Sequence, residues 1–277
     1  MKEKVVFFVA GPYVSRVAET LGKKFDLYVF TTEIDQNSPL ILYCTDSNIP
    51  HISVKEFDQR IINDIKKIGA RIAVLAYFGL IVPREVIGLF RLGIINIHPS
   101  LLPKYRGASP GQAAILAGDS ITGVSIIRLD EEVDHGPILA QVEEKIRPDD
   151  TSETLYRRLF QNGAELLSQV LPKYISDELK LTEQDHSKAT FTDRLTRESG
   201  RINLDHPPSP EQLNRMIRAY YPWPGVWFKA KLNGDERIVK LFPKERIQVE
   251  GKKVMRFADF VNGYPEAKKI LLKLSLS

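Results

Sequence analysis

Two polar side chains at the end of an apolar run are the first feature of this sequence with chemical content. The stretch Gly93–Ile97 (GIINI) is hydrophobic except for Asn96, and His98 follows it directly. Side chains alternate between faces along a strand, so Asn96 and His98 project together while Ile97 points the other way. An amide and an imidazole presented side by side offer N–H donors to an oxygen that gains charge as a carbonyl carbon is attacked. A carboxylate that orients the imidazole would complete the group. The loop Asp130-Glu131-Glu132-Val133-Asp134-His135-Gly136-Pro137 supplies carboxylates, and its spacing does not distinguish Asp130 from Asp134. The same residues would also suit a hydrogen-bonded strand end and a solvated acidic turn.

Other chemistries find less support. The five histidines, at positions 51, 98, 135, 186 and 206, show no short two-His spacing, so no metal site is expected. The turn after the first apolar run, Ala10-Gly11-Pro12-Tyr13-Val14-Ser15, lacks the spaced glycines that admit a dinucleotide pyrophosphate. One cysteine, Cys44, cannot form an internal disulfide, which fits a reducing cytoplasm. Val5–Ala10 is short, runs into Gly11-Pro12, and reads as a buried strand and not a leader. No apolar run approaches the roughly 20 residues that span a bilayer, so no membrane partner is expected.

The elements that must position Asn96 and His98 follow from periodicity. Val5–Ala10, Leu27–Thr32, Ile72–Phe78, Gly93–Ile97 and Gly123–Leu129 are short apolar runs bounded by polar or turn residues. Such runs, with amphipathic stretches between them, predict strands of a mostly parallel sheet covered on both faces. Phe57–Ile68 places Ile61, Ile62, Ile65 and Ile68 at helical spacing. The expected fold class is α/β, an open doubly wound sheet with its ligand crevice at the carboxyl ends of the strands.

A long helical pattern runs from about Thr154 to Ile175, and Asp205–Pro210 (DHPPSP) reads as a linker. Ser209, Pro210 and Gln212 form a helix-start signature. Beyond Tyr221-Pro222-Trp223-Pro224-Gly225, Val226–Leu241 and Ile247–Glu250 have β character, with a turn at Asn233-Gly234. Residues 1–204 are expected to form the main domain, and 205–277 a linker helix with a small β-rich domain. From Lys229 onward, 12 Lys+Arg face 6 Asp+Glu, whereas the preceding residues hold 27 against 29. The net charge of +4 therefore combines a slightly acidic body with a basic tail, a pattern compatible with a polyanion partner or with a lysine-rich solvated face.

The run Asn96-Ile97-His98-Pro99-Ser100-Leu101-Leu102-Pro103-Lys104-Tyr105-Arg106-Gly107-Ala108 is followed by Ala117-Gly118-Asp119, Thr122-Gly123-Val124-Ser125-Ile126 and Asp134-His135-Gly136. In this order the motifs resemble the folate-dependent formyltransferases, over most of the chain from about Ile72. The resemblance implies a Rossmann-like catalytic domain and 10-formyltetrahydrofolate as formyl donor, with no metal. It assigns Asn96, His98 and Asp134 as the catalytic triad, and Ser100, Leu101, Leu102 and Pro103 as part of the folate site. Ala189–Ile202, Ile217–Gly225 and Val249–Met255 are similar to the methionyl-tRNA formyltransferases within that family. That similarity implies initiator Met-tRNA as partner and an OB-like C-terminal domain, on a chain expected to be a monomer.

Two segments depart from the pattern. Thr31–Pro39 (TTEIDQNSP) has no basic residue, and about 50 residues after the Pro-Trp-Pro-Gly turn are fewer than a complete five-stranded barrel needs. An amino sugar nucleotide is therefore an alternative acceptor, and glycinamide ribonucleotide a weaker one. Hydrolysis of the formyl donor is a further alternative. An RNA-binding module with a vestigial pocket is the non-enzymatic alternative.

Overall fold

The computed structural model describes residues 2–276. In chain order its first elements are β1 (Lys4–Val9), α1 (Ser15–Lys24), β2 (Asp26–Thr31), α2 (Pro39–Asp46) and β3 (His51–Ser53). Next come α3 (Gln59–Ile68), β4 (Ile72–Ala76), α4 (Arg84–Ile87), β5 (Ile94–His98), β6 (Arg106–Gly107) and α5 (Pro110–Ala117). Then follow β7 (Ile121–Arg128), β8 (Ile138–Lys145), α6 (Ser152–Ile175), β9 (Phe191–Thr192) and α7 (Pro210–Ala219). The chain finishes with β10 (Val226–Leu232), β11 (Asp235–Phe242), β12 (Arg246–Val249), β13 (Met255–Arg256), α8 (Phe257–Gly263) and α9 (Ala267–Lys273).

The chain divides into two compact units. The first comprises residues up to Gly107, then Thr122–Glu144 and Tyr156–Phe191. Its sheet has the order β3-β2-β1-β4-β5-β7-β8. β1, β2, β3, β4 and β5 pair in parallel, and β7 runs antiparallel to β5. This is the doubly wound α/β arrangement expected from the apolar runs, and its strand order reverses between β1 and β4.

Local chemistry explains the elements. Val5 to Val9 are fully buried, as strands covered on both faces require. In α3 the Asp58 carboxylate accepts the Ile61 N–H (2.8 Å) at the start, and Gly69 ends the helix at φ +67°. Ile61, Ile62 and Ile65 then bury against a cluster that includes Phe8, Phe30, Phe78 and Ile94. On β5 the residues from Ile94 to His98 are all buried. Helix α6 approaches this strand closely because it carries Gly163, where an added Cβ would stand 2.6 Å from Ile97 Cγ2 and 3.2 Å from Val124 Cγ1.

The second unit comprises Ala108–Ile121, Lys145–Leu155 and the residues from Thr192 onward. Its sheet is antiparallel, in the order β10-β11-β12-β13. The β10–β11 hairpin turns at Asn233 (φ +50°) and Gly234 (φ +90°), the left-handed pair that a two-residue turn needs. Ser209 caps α7 by accepting the Gln212 N–H (3.2 Å).

Two expectations need revision here. The compact units do not follow a linear division at residue 204, because residues far upstream share polar contacts with α7. Arg215 donates to the Ala117 carbonyl (3.2 Å), Arg218 to the Asp150 carbonyl (3.0 Å), and the Ser152 hydroxyl to the Tyr221 carbonyl (2.6 Å). The tail is also less purely β than its sequence reads, since α8 and α9 close it. In α9 the apolar residues Ile270 and Leu271 bury beside Leu274 while Lys268 and Lys269 remain exposed, a helical stripe too short to stand out in the sequence.

Replacing Gly163 by Val inserts a branched side chain against Ile97 and Val124, and overpacking of this kind costs about 1–3 kcal/mol. Thermal unfolding of G163V is expected at a clearly lower temperature; an unchanged Tm would contradict the close packing of α6 on β5.

Candidate active site

The site is built at the carboxyl end of β5, beside the loop that leaves β7. Register pairs Asn96 with Ile127 and His98 with Ser125. The last residue of β7, Arg128, pairs with Ile95 at the start of β5, so the loop that follows β7 folds back along β5 to bring Asp134 to Asn96 and His98. Both side chains are buried. Asp134 is buried too, at 8% exposure, in left-handed backbone at φ +50°. Its Oδ1 accepts from Asn96 Nδ2 (3.3 Å), and its Oδ2 faces His98 Nδ1 (3.3 Å) and accepts the Gly107 N–H (2.8 Å). The other ring nitrogen of His98, Nε2, lies 3.0 Å from the Tyr105 carbonyl.

This geometry separates the two aspartates that spacing left open. Asp134 meets Asn96 and His98, whereas Asp130 contacts His135 Nδ1 (2.6 Å). Chemically, one buried carboxylate faces two buried N–H-bearing groups. Such a group can present donors to a developing oxyanion and take up a proton, directly or through water. The single thiol offers no alternative nucleophile: Cys44 is buried, and burial pushes its pKa up to about 11. Among the described residues, no cluster of three His, Cys, Asp or Glu is placed to hold a metal ion, and no helix is long and apolar enough to cross a membrane.

The Ser100–Pro103 segment follows immediately. The Ser100 hydroxyl is fully buried and donates to the Lys104 carbonyl (2.7 Å), so it braces its own loop. Ser125 supports the segment from β7: its hydroxyl donates to the Ser100 carbonyl (2.7 Å) and accepts the Leu102 N–H (3.0 Å). Gln141 Nε2 donates to both the Leu102 carbonyl (2.9 Å) and Ser125 Oγ (2.8 Å). Leu102 is buried, leaving Leu101 and Pro103 as the half-buried side chains of the four.

Sequence reasoning did not pick out Arg106, Gln184 or His186. Gln184 Nε2 donates to the carbonyls of Asp134 (2.8 Å) and Gly136 (2.7 Å), and Arg106 donates to its Oε1. His186 lies about 90 residues from the Asn-x-His pair, in a stretch with no motif of its own. Its ring stacks on His135 with centroids 3.9 Å apart. The signal available beforehand was only that Arg106 and His135 lie within the two recognisable motifs.

A family model described as formyl transferase matches residues 15–171. The chain belongs to the formyl transferase family. It is similar to the methionyl-tRNA formyltransferase of Chloroflexus aurantiacus, at 41% identity over 190 residues, covering 68% of this chain and 61% of that relative. The chain thus spans less than two thirds of the length of that relative. The methionyl-tRNA formyltransferase of Thermus thermophilus is 32% identical over 94% of this chain and 96% of its own length. Among solved structures, a 4-N formyltransferase from Francisella tularensis shares the fold with a TM-score of 0.70 at 21% identity, covering 88% of this chain and 98% of that one.

Ser125 joins β7 to the Ser100–Pro103 segment through two hydrogen bonds and accepts a third from Gln141. Ser125→Ala leaves buried partners unsatisfied and is expected to destabilise by about 1–3 kcal/mol. Hydrogen–deuterium exchange at the Leu102 amide should accelerate more than tenfold; unchanged protection would show that the segment holds its shape without Ser125.

Proposed function

We propose that this chain transfers the formyl group of 10-formyltetrahydrofolate to the amino group of methionyl-initiator-tRNA. The observation that carries the chemistry is the Asp134 carboxylate, which faces both the Asn96 amide and the His98 ring at 3.3 Å. The folate supplies an activated formyl carbon when bound. The residues of the site fit that donor: Leu101 and Pro103 offer half-buried apolar surface to a flat ring, on a backbone held by Ser125 and Gln141. Asn96, through the N–H that Asp134 leaves over, and His98, through its Nε2–H once it turns from the Tyr105 carbonyl, donate hydrogen bonds to the formyl oxygen as negative charge develops there. Asp134 keeps both donors on one bearing and receives the proton released by the attacking amine, through a water.

The acceptor is argued from similarity and charge. The Thermus relative aligned over 94% of this chain is named a methionyl-tRNA formyltransferase. Lys252, Lys253, Lys268 and Lys269 in the tail are exposed and make no ion pair among the described residues. Free lysines suit phosphate contact, which needs charge more than a particular fold. The single buried thiol suits work in a reducing cytoplasm.

The test is to incubate the protein with 10-formyltetrahydrofolate and either Met-tRNA or a panel of amino sugar nucleotides, and to identify the formylated product. Formyl-Met-tRNA is expected; formylation of a sugar alone would overturn the acceptor. Asn96→Ala and His98→Ala should each lower kcat by roughly 10²–10³, the usual loss for one oxyanion donor. Near-normal turnover in either variant contradicts the assignment. Acceptor binding should weaken steeply with salt, and replacing both Lys252 and Lys253 by Ala should reduce the log–log slope by about 1–2. A flat salt dependence would point to a small acceptor.

A further inference from the structure

We propose that Gln184 is a positioning residue for this reaction: its amide holds the backbone of Asp134 and Gly136, and thereby keeps the Asp134 carboxylate beside Asn96 and His98. The inference rests on the formyl-transfer reading for its kinetic form, and on geometry alone for its structural form.

Every hydrogen-bonding position of the Gln184 side chain is used. Its Nε2 donates to the Asp134 carbonyl (2.8 Å) and the Gly136 carbonyl (2.7 Å). Its Oε1 accepts from Arg106 Nε (3.2 Å) and Nη2 (2.7 Å). Because arginine only donates and carbonyls only accept, the amide has one permitted orientation. Arg106 is itself turned by His186, whose Nδ1 lies 2.8 Å from Nη2 and must accept there. Arg106, Gln184 and Asp134 are 3%, 5% and 8% exposed, so water does not replace a lost contact cheaply.

The backbone between the two carbonyls needs such a clamp. Asp134 stands at φ +50°, a conformation that a residue with a Cβ rarely adopts and keeps only when its surroundings over-determine it. The Gly107 N–H and the Asn96 amide hold its side chain, and Gln184 holds its carbonyl. Two residues on, the Gly136 backbone lies so close to the Arg128 carbonyl that a Cβ would collide with it. The loop is thus pinned on both sides of the carboxylate. A shift of one ångström at a reacting group can cost 10²-fold in rate.

Gln184→Glu separates this role from a general structural one. It keeps the shape and the partner of Arg106, and it removes the two N–H donors to the loop. The expected result is a fall in kcat of about 10- to 100-fold with both KM values within twofold, alongside a lower Tm because two buried carbonyls lose their donor. In an Asp134→Asn background the same change should cost less than threefold, because the carboxylate it positions is already gone. Gln184→Asn, which keeps the amide but reaches only one set of partners, should lose kcat about three- to tenfold with the same split. It also serves as the test if the glutamate variant does not fold. Normal kcat in both variants, or a full additional loss from Gln184→Glu in the Asp134→Asn background, overturns the proposal.

The His98 imidazole nitrogen signals in 15N-labelled protein, assigned with a His98→Gln control, provide the readout that needs no substrate. They should move in Q184E. Signals that move in Q184E, with a wild-type protein that formylates no amine, would sink the formyl-transfer reading and leave the positioning role standing. Static signals and unchanged kcat in an active enzyme would sink the positioning role alone.

Discussion

One buried carboxylate carries the architecture of this site. Asp134 accepts from the Asn96 amide and the Gly107 N–H, and it faces the His98 ring. Removing a carboxylate from water costs several kcal/mol, and hydrogen bonds to a charged acceptor return roughly 1.5–3 kcal/mol each. One such bond would leave the group destabilising, whereas partners on both oxygens bring it to balance. The charge therefore tolerates burial only in this one arrangement, so the arrangement is specified as well as stable. Asn96 and His98, which on a bare strand end could rotate toward solvent, are drawn to a common point.

The surrounding fold serves that balance. Antiparallel β7 sits against β5 and ends beside its start, and the loop that follows folds back until Asp134 meets the donors. Gly163 lets α6 lie against the same strand, closing it from water. On the next segment, Ser125 faces a different task, tying the Ser100 and Leu102 backbone to the sheet. Two neighbouring positions of one motif are thus divided: His98 faces the Asp134 carboxylate, and Ser100 braces its own loop. The same economy holds for the histidines outside the pair, since His135 and His186 pack on each other and engage Asp130 and Arg106.

The charge of the tail has a different character from the charge of the site. Ion pairs such as Lys229–Glu236 and Lys273–Asp205 lie at the surface, where each contributes about 0–1 kcal/mol and is screened by salt. The exposed Lys252, Lys253, Lys268 and Lys269 add long-range positive potential with little cost to folding. The charge of the site is few, buried and directional; the charge of the tail is many, exposed and loosely placed.

The sequence alone determined whatever depends on local period and short spacing. The apolar runs marked the strands of a doubly wound α/β sheet, because both faces of a buried strand must be apolar. Period-two alternation put Asn96 and His98 on one face, and Ser209 with Pro210 announced α7. Resemblance to known formyltransferases then singled out Asp134. Tertiary structure decided what depends on contacts distant in sequence. It chose Asp134 over Asp130 by geometry, since a loop of four carboxylates carries no local signal of which one meets a strand 38 residues upstream. It grouped residues 108–121 and 145–155 with the tail through the arginines of α7, which no linear boundary could express. And it brought Gln184 to the Asp134 backbone from 50 residues away. A side-chain amide holding two carbonyls follows no spacing rule, because its partners are backbone atoms that every residue possesses.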